Sequence, residues 1–329
     1  MTIRLTRRGA LTGLAGVSLG VALPASAQTG DWPKQPIKFV VPFPPGGSVD
    51  PLARVMQKAI SEATGWNIVV DNRPGAGGSI GTAVVAKAPP DGYSWVFVFD
   101  THGVNPSLIP GMTFDTEKDL APVMLVGTSP MAIVTPPDRP YKTFDDVVKA
   151  AKATPDKISY GSIGNGSLGH LTMTLVQQAG KFQVVHVPYK GGGPMTQDVL
   201  AGQIDLAIGS VALLAPQIRT GKLRALAATG DKRSAAIPDV PSLAEQGFPG
   251  FSALAWWGVL APAATPQPIL ARMHNALEKA LSQPDVRKLL SEQLGMDLVV
   301  SQPDAFKTFI HEQVERWGKV VKDNGIKAD

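Results

Sequence analysis

The stretch IKFVVPFPPGGSVDPLARVMQ, residues 37–57, runs from apolar residues through prolines and two glycines into a patterned helix. IKFVVPF (37–43) has the β-branched and aromatic content of a buried strand. DPLARVMQKAISEATG (50–65) spaces its apolar residues along one helix face, with Pro51 in the first turn, where a missing N–H is tolerated. A strand leading through glycine into a helix is the repeating unit of parallel α/β sheets. The same junction leaves backbone N–H groups unpaired at a partial positive charge, which suits an anion.

The pattern continues outward from this stretch. NIVVD (67–71) and YSWVFVF (93–99) read as strands around a helix in GSIGTAVVAKA. PVMLVG and MAIVT read as two further strands, followed by the helix TFDDVVKAAKA with Thr143 as its cap. ISYGSI, VVHVPY, IDLAIGS and LRALAATG are four more strands with helical segments between them. In the last third, WWGVLAP (256–262) precedes the helices PQPILARMHNALEKALSQ and DVRKLLSEQLG. The final helix starts at Ser301 and packs Phe306, Phe309, Ile310, Val314, Trp317 and Val321 on one face. So many strands point to two sheets rather than one.

Residues 1–27 are set apart from this fold. Arg4, Arg7 and Arg8 precede a short apolar run and the small-residue site Ala25-Ser26-Ala27, which reads as a cleaved export signal. The Arg7-Arg8 pair keeps the twin-arginine route open beside general secretion. The chain has 31 Lys+Arg and 27 Asp+Glu, but three arginines and no acids lie in residues 1–27, leaving 28 against 27. The basic balance therefore belongs largely to the signal, and no nucleic-acid or membrane-surface partner is indicated. With no cysteine there is no disulfide, thiol nucleophile or cysteine metal site. The expectation is a soluble periplasmic protein of two modest cores.

Three glycine-bearing loops precede helices: PGGSVD (45–50), NRPGAGGSIG (72–81) and GSIGNGSLGH (161–170). The plain alternative is that each is an ordinary strand-to-helix turn. None supplies the lysine of a phosphate-binding loop. Gly164, Gly166 and Gly169 fit GxGxxG, but the following strand ends VPYK (187–190) without the acid that holds a ribose. Gly77-Gly78-Ser79-Ile80-Gly81 satisfies GxSxG formally, though residues 72–76 separate Ser79 from its strand. The histidines show no metal-ligand spacing, and no cofactor is expected. Asp50, beside Pro51, is placed to cap the first helix, which leaves an anion the amides of Gly46, Gly47 and Ser48, directly or through water.

Taken together, these segments resemble the Bug-type, or TctC-like, periplasmic solute receptors of tripartite tricarboxylate transporters. The resemblance rests on VPFPPGGSVD (41–50), VDNRPGAGG (70–78), APPDGY (88–93), YGS (160–162) with GSLGH (166–170), and VPYKGGG (187–193). GQID (202–205), GKLRALA (221–227) and VPSLAEQG (240–247) extend it over nearly the whole mature chain. It implies an α/β, two-lobed periplasmic binding protein type II-like fold: two mixed sheets flanked by helices, with a ligand cleft between domains. The implied domains are 28–125 with 228–329, and 126–227, crossing near PVMLVG and LRALAATG. The implied function is capture of a small organic carboxylate by clamshell closure, without catalysis, for membrane permease subunits. The protein would act as a monomer.

The roles follow that reading. Phe43 is either a wall for the ligand's carbon skeleton or core. Gly46, Gly47 and Ser48 are donors from one domain; Ser162, Asn165, Gly166 and Ser167 are donors from the other. His170 either supports the second loop or is purely structural. Arg73, followed in its loop by Ala76, either pairs with a second carboxylate or braces a turn. Thr101, His102, Tyr189, Lys190 and Gly191 follow strands and should line the cleft. Asp205 fixes loop geometry or accepts from a ligand amine. Trp256 and Trp257 fit core better than ligand stacking. Two rival readings are an exported serine hydrolase using Ser79 and a receptor for phosphorylated ligands.

Overall fold

The computed structural model describes residues 32–249 and 251–328, so the signal segment lies outside it. Among the described residues ten strands form: β1 (Ile37–Val41), β2 (Ile68–Asn72), β3 (Ser94–Phe99), β4 (Leu120–Thr135), β5 (Ser159–Ser162), β6 (Val185–Pro188), β7 (Leu206–Ser210), β8 (Arg224–Ala228), β9 (Leu254–Pro262) and β10 (Asp297–Leu298). The helices are α1 (Val49–Thr64), α2 (Ser79–Ala86), α3 (Asn105–Leu108), α4 (Phe144–Ala153), α5 (Leu168–Gly180), α6 (Gly192–Leu200), α7 (Val211–Arg219), α8 (Gln267–Ser282), α9 (Pro284–Arg287) and α10 (Pro303–Asp323).

Two mixed sheets share the long strand β4. In the first the order is β2-β1-β3-β9-β4, with β1, β2 and β3 parallel and β9 antiparallel to both its neighbours. In the second, the last residues of β4 pair with β7 on one side and β8 on the other, and β7, β5 and β6 run parallel. Each sheet carries helices, giving two lobes.

The segments PVMLVG and MAIVT, expected as two strands, are one. Pro122 and Pro130 lack the N–H of a ladder residue, yet β4 tolerates both. Its register against β9 shifts between Pro122 and Met124 and again between Leu125 and Gly127. Pairing with β9 ends at Pro130 and pairing with β7 begins at Met131, so the change of sheet falls there and not near residue 125. LRALAATG does not cross either, because β8 pairs with Ala132–Thr135 of β4 inside the second sheet. The return lies between β8 and β9. There Thr229 ties the two crossings together, accepting from the Met131 amide at 2.9 Å and donating to the Ala253 carbonyl.

Side-chain pattern places the core. Residues of β1 and β3 pack Phe39 against Phe97 with the rings tilted and their centroids 4.9 Å apart, and Trp256 and Trp257 are fully buried. The α4 start is a capping box in which Thr143 and Asp146 exchange hydrogen bonds, as Thr143 suggests. Asp50 does not cap α1. It lies one residue inside the helix and turns toward Asn72 and Arg54 instead.

Candidate functional site

The carboxyl ends of β1, β3, β5, β6 and β7 meet at one cavity between the lobes, the usual ligand position in open α/β sheets. Phe43, Gly47, Ser48 and Phe99 line it from the first lobe, and Ile163, Gly192, Ser210 and Leu213 from the second. Met131 of the crossing strand joins them. The enclosed space is ≈ 20 Å³, room for about one water, so the lobes stand closed on each other.

Glycines make that closure possible. A Cβ on Gly193 would come 3.0 Å from the Pro45 carbonyl oxygen, and one on Gly191 would come 3.0 Å from Pro44. A Cβ on Gly47 would lie 4.0 Å from the amide nitrogen of Gly192. On the other flank, Leu108 of α3 sits against Gly166 where any Cβ would overlap it. Between residues 45–47 and Gly192–Gly193 the backbones of the two lobes therefore face each other at contact distance.

The first loop is held from outside. Asn72 donates its side-chain amide to the Phe43 carbonyl at 3.1 Å and to Asp50 at 2.9 Å, and Arg54 donates to the other Asp50 oxygen at 3.0 Å. Phe43 meets Phe99 edge-on at 6.0 Å. Gly78, with φ 91°, gives the Phe43 ring its room, since a Cβ there would approach the ring to 3.0 Å. The NRPGAGG stretch is thus a buttress for the first loop. Among the described residues, no turn, loop or cap hydrogen bond uses the amides of Gly46, Gly47 or Ser48. Ser48 accepts from Trp257 Nε1 at 3.2 Å and keeps its own proton to donate.

The second loop is held from within. Ser162 is fully buried, and its hydroxyl faces His186 Nε2 at 2.7 Å while accepting from the Gly164 amide and the Ser167 hydroxyl. Ser167 caps α5 by accepting from the His170 amide, and the Gly166 amide donates to His170 Nδ1 at 3.0 Å. The imidazoles of His170 and His186 stack with centroids 4.0 Å apart. Burial, with His170 adding to it, pulls His186 down to about 3. Ser162, Gly166 and Ser167 were expected as ligand donors; the structure spends their groups on the loop itself. His170 supports that loop. Asn165 is partly exposed on it and does not line the cavity.

Other expected residues divide in the same way. Gly191, with its neighbours Gly192 and Gly193, opens α6 opposite the first loop. Lys190 is exposed beside it. Tyr189 turns away, donating its hydroxyl to Asp198 at 2.8 Å, and its pKa is pushed up to about 12 by burial and that carboxylate. Thr101 donates to the Gly77 carbonyl at 2.7 Å. His102 is buried behind the cleft, stacked on Phe114 and edge-on to Trp256, and burial pulls it to about 3. Arg73 pairs with Asp71 at 3.0 Å, and Ala76 is exposed in the buttress. Asp205 accepts from the Ser159 amide and hydroxyl at the opposite end of β5 from the cleft, with Arg139 at 3.3 Å. Thr101, His102, Arg73 and Asp205 are therefore not among the residues that line this cavity. A short polar or charged side chain after a strand is satisfied as readily by its own fold as by a ligand.

Phe99, Ile163, Gly192, Ser210 and Leu213 line the cleft without having been expected there. One signal was present. IGSVALL (208–214) repeats the strand, glycine, serine, helix order of the first loop, and Ser210 does cap α7 by accepting from the Leu213 amide.

Two α/β lobes joined through β4 and its neighbour, closed over a cleft at their strand ends, define a periplasmic binding protein. The chain belongs to the tripartite tricarboxylate transporter family receptor group, whose profile matches residues 52–326. It is 36% identical to protein BugT of Bordetella pertussis over 327 residues, covering 99% of both chains. The solved periplasmic binding protein BugD superposes with a TM-score of 0.85 at 33% identity, over 91% of this chain and 100% of that one. Rpa4515 of R. palustris, solved with adipate, gives 0.85 at 31% identity, over 90% of this chain and 99% of that one. These are receptors and not enzymes, and the hydrolase reading falls with them. Ser79, buried in the first turn of α2, is not displayed as a nucleophile. No helix among the described residues is long and apolar enough to cross a membrane.

Proposed function

We propose that the chain is an exported periplasmic receptor that closes on a small organic carboxylate and delivers it to membrane permease subunits of a tripartite tricarboxylate transporter. The observation that carries the reading is one cleft lined by glycine backbone from both lobes, Gly47 opposite Gly192. Unpaired amides at the starts of α1 and α6 can share one carboxylate between them, so the ligand stabilises the closed form by binding both halves at once. The adipate held by Rpa4515 supports a carboxylate over a phosphate ester. The lobes are residues 32–130 with 254–328, and 131–228, and the receptor works as a monomer after removal of residues 1–27 by either export route.

A thermal-shift screen of the mature protein with organic acids, amino acids and phosphate compounds tests this. A ligand at a hundred times its Kd adds about 2.7 kcal/mol, a readily measured rise in melting temperature. The expected hit is a carboxylate, and Gly47→Val, which places methyl groups between the lobes without backbone strain, removes it. A rise with phosphate esters alone contradicts the proposal.

A further inference from the structure

Helix α2, SIGTAVVA, is turned inside out. Its two hydroxyl residues face inward: Ser79 and Thr82 are buried, and Thr82 donates to the Gly78 carbonyl at 2.9 Å. Its branched apolar residues Ile80 and Val84, one turn apart on the same side of the helix, stand 55% and 46% exposed. A surface helix ordinarily shows the reverse arrangement. Val69 of the edge strand β2 is exposed as well and points to the same side of the sheet, because its neighbours Ile68 and Val70 turn into the core on the other side from Val85 of α2. From Pro74 to Ala86 the chain carries no charged residue. Apolar side chains gathered on one exposed face mark a contact surface more often than a chance exposure.

This face is held firmly and begins at the cleft. A Cβ on Gly81 would come 2.6 Å from the Arg73 carbonyl oxygen and 2.7 Å from Pro42, so α2 is pressed against the backbone that opens the first ligand loop. The Ile80 side chain is seated on the turn before it, where a Cβ on Gly75 would approach its Cδ1 to 2.5 Å. Gly75, Ala76, Gly77 and Gly78 all have positive φ. Ala76, at φ 44°, is the one that carries a side chain there, a conformation that costs about 1–2 kcal/mol and persists where the surroundings fix the turn.

We propose that this face of α2, centred on Ile80 and Val84, is where the first lobe docks on an apolar, periplasm-facing segment of the membrane permease subunits. The inference rests on the delivery role proposed above. A partner that receives the ligand must meet the receptor at the end where the cleft opens. The patch starts at that end, and through Gly78 and Gly81 it is continuous with Phe43 and Pro42 of the first ligand loop. Its composition sets the chemistry of the partner: carbon meets carbon, since no charge lies between Arg73 and Lys87, and Arg73 is paired with Asp71 at 3.0 Å. A lipid surface fits less well, because helices that lie on bilayers carry cations along their polar face, and α2 has none.

The test uses the full receptor in its own host, with the chromosomal copy removed and a plasmid copy supplied. A photo-crosslinking amino acid in place of Val84 should join the receptor to a polytopic membrane protein, and the same amino acid in place of Lys58, exposed on α1, should not. Val84→Glu and Val84→Lys should each cut uptake of the acid that gives the largest thermal shift by at least about tenfold, while the shift itself stays as in the unaltered protein. Both signs of charge weaken an apolar contact, so a loss with one sign alone overturns the proposal. Unchanged uptake in both variants, no membrane-protein cross-link at position 84, or a cross-link there to lipid or to a second copy of the receptor overturns it too. If no carboxylate raises the melting temperature and the cross-link to a membrane protein still forms, the ligand reading fails and the docking surface stands.

Discussion

The two glycine loops at helix starts, residues 43–48 in the first lobe and 162–167 in the second, look alike in sequence and behave differently in space. The first is braced by Asp50 and Asn72 from outside and keeps its amides unspent. The second braces itself, with Ser162, Ser167 and His170 consuming the donors that the loop could have offered. In the proposed function the second lobe's grip falls to Gly191, Gly192 and Gly193, the next strand-to-helix junction. A helix start is a ligand site when its N–H groups have no internal partner, and only a complete account of hydrogen bonds reveals that.

The comparison can be broken most forcefully at the flank where the second loop meets the first lobe. Gly166 has φ 66°, and a Cβ would strike Leu108. Gly166→Ala should therefore destabilise the protein by about 1–3 kcal/mol and weaken ligand binding by about tenfold or more through lost closure. Leu108→Ala in the same background should restore part of the binding, measured by titration calorimetry. Next in size is Asp50→Ala, which leaves Asn72 and Arg54 without their shared acceptor. A loss of about 1–3 kcal/mol is expected, with binding weakened because the first loop's amides are no longer held in place.

Ser167→Ala sharpens the contrast. It removes the cap of α5 and a donor to Ser162, for about 1 kcal/mol of stability by chemical denaturation. Because the second loop does not present its amides, affinity should change much less than in Asp50→Ala. If Ser167→Ala instead abolishes binding at unchanged stability, the second loop is a ligand loop after all.

The smallest effect is pH dependence. His186 is held near 3 in the folded protein, against an ordinary 6.5, so it stays neutral where the unfolded chain takes up a proton. Stability from this group is complete above about 6.5 and is lost as pH falls toward 3. His102, also near 3 through burial, acts in the same direction from the first lobe. Melting temperature should drop on acidification, and His186→Asn should flatten part of the drop while His102 maintains the rest.

Much of the architecture is legible before any coordinates. The alternation of strands with amphipathic helices marks an α/β protein, and PFPPGGS ends a strand at the cleft as its glycines suggest. Thr143 caps its helix because threonine before an acidic first turn has few other uses. The rest depends on contacts between distant residues. Whether Pro130 breaks a strand or sits where one sheet hands over to another is decided by β9 and β7. Whether Thr101 faces a ligand is decided by the Gly77 carbonyl, and Asp205 is claimed by Ser159 at the far end of its sheet. Leu213 and Ile163 carry no mark in sequence that separates a cleft wall from a core.

The most direct measurement is a crystal structure of the mature protein with the carboxylate that gives the largest thermal shift. The account predicts one carboxylate within hydrogen-bonding reach, directly or through a single water, of amides in residues 46–48 and in residues 191–193 together. A carboxylate held by the loop at residues 162–167 alone, or touching one lobe only, contradicts it.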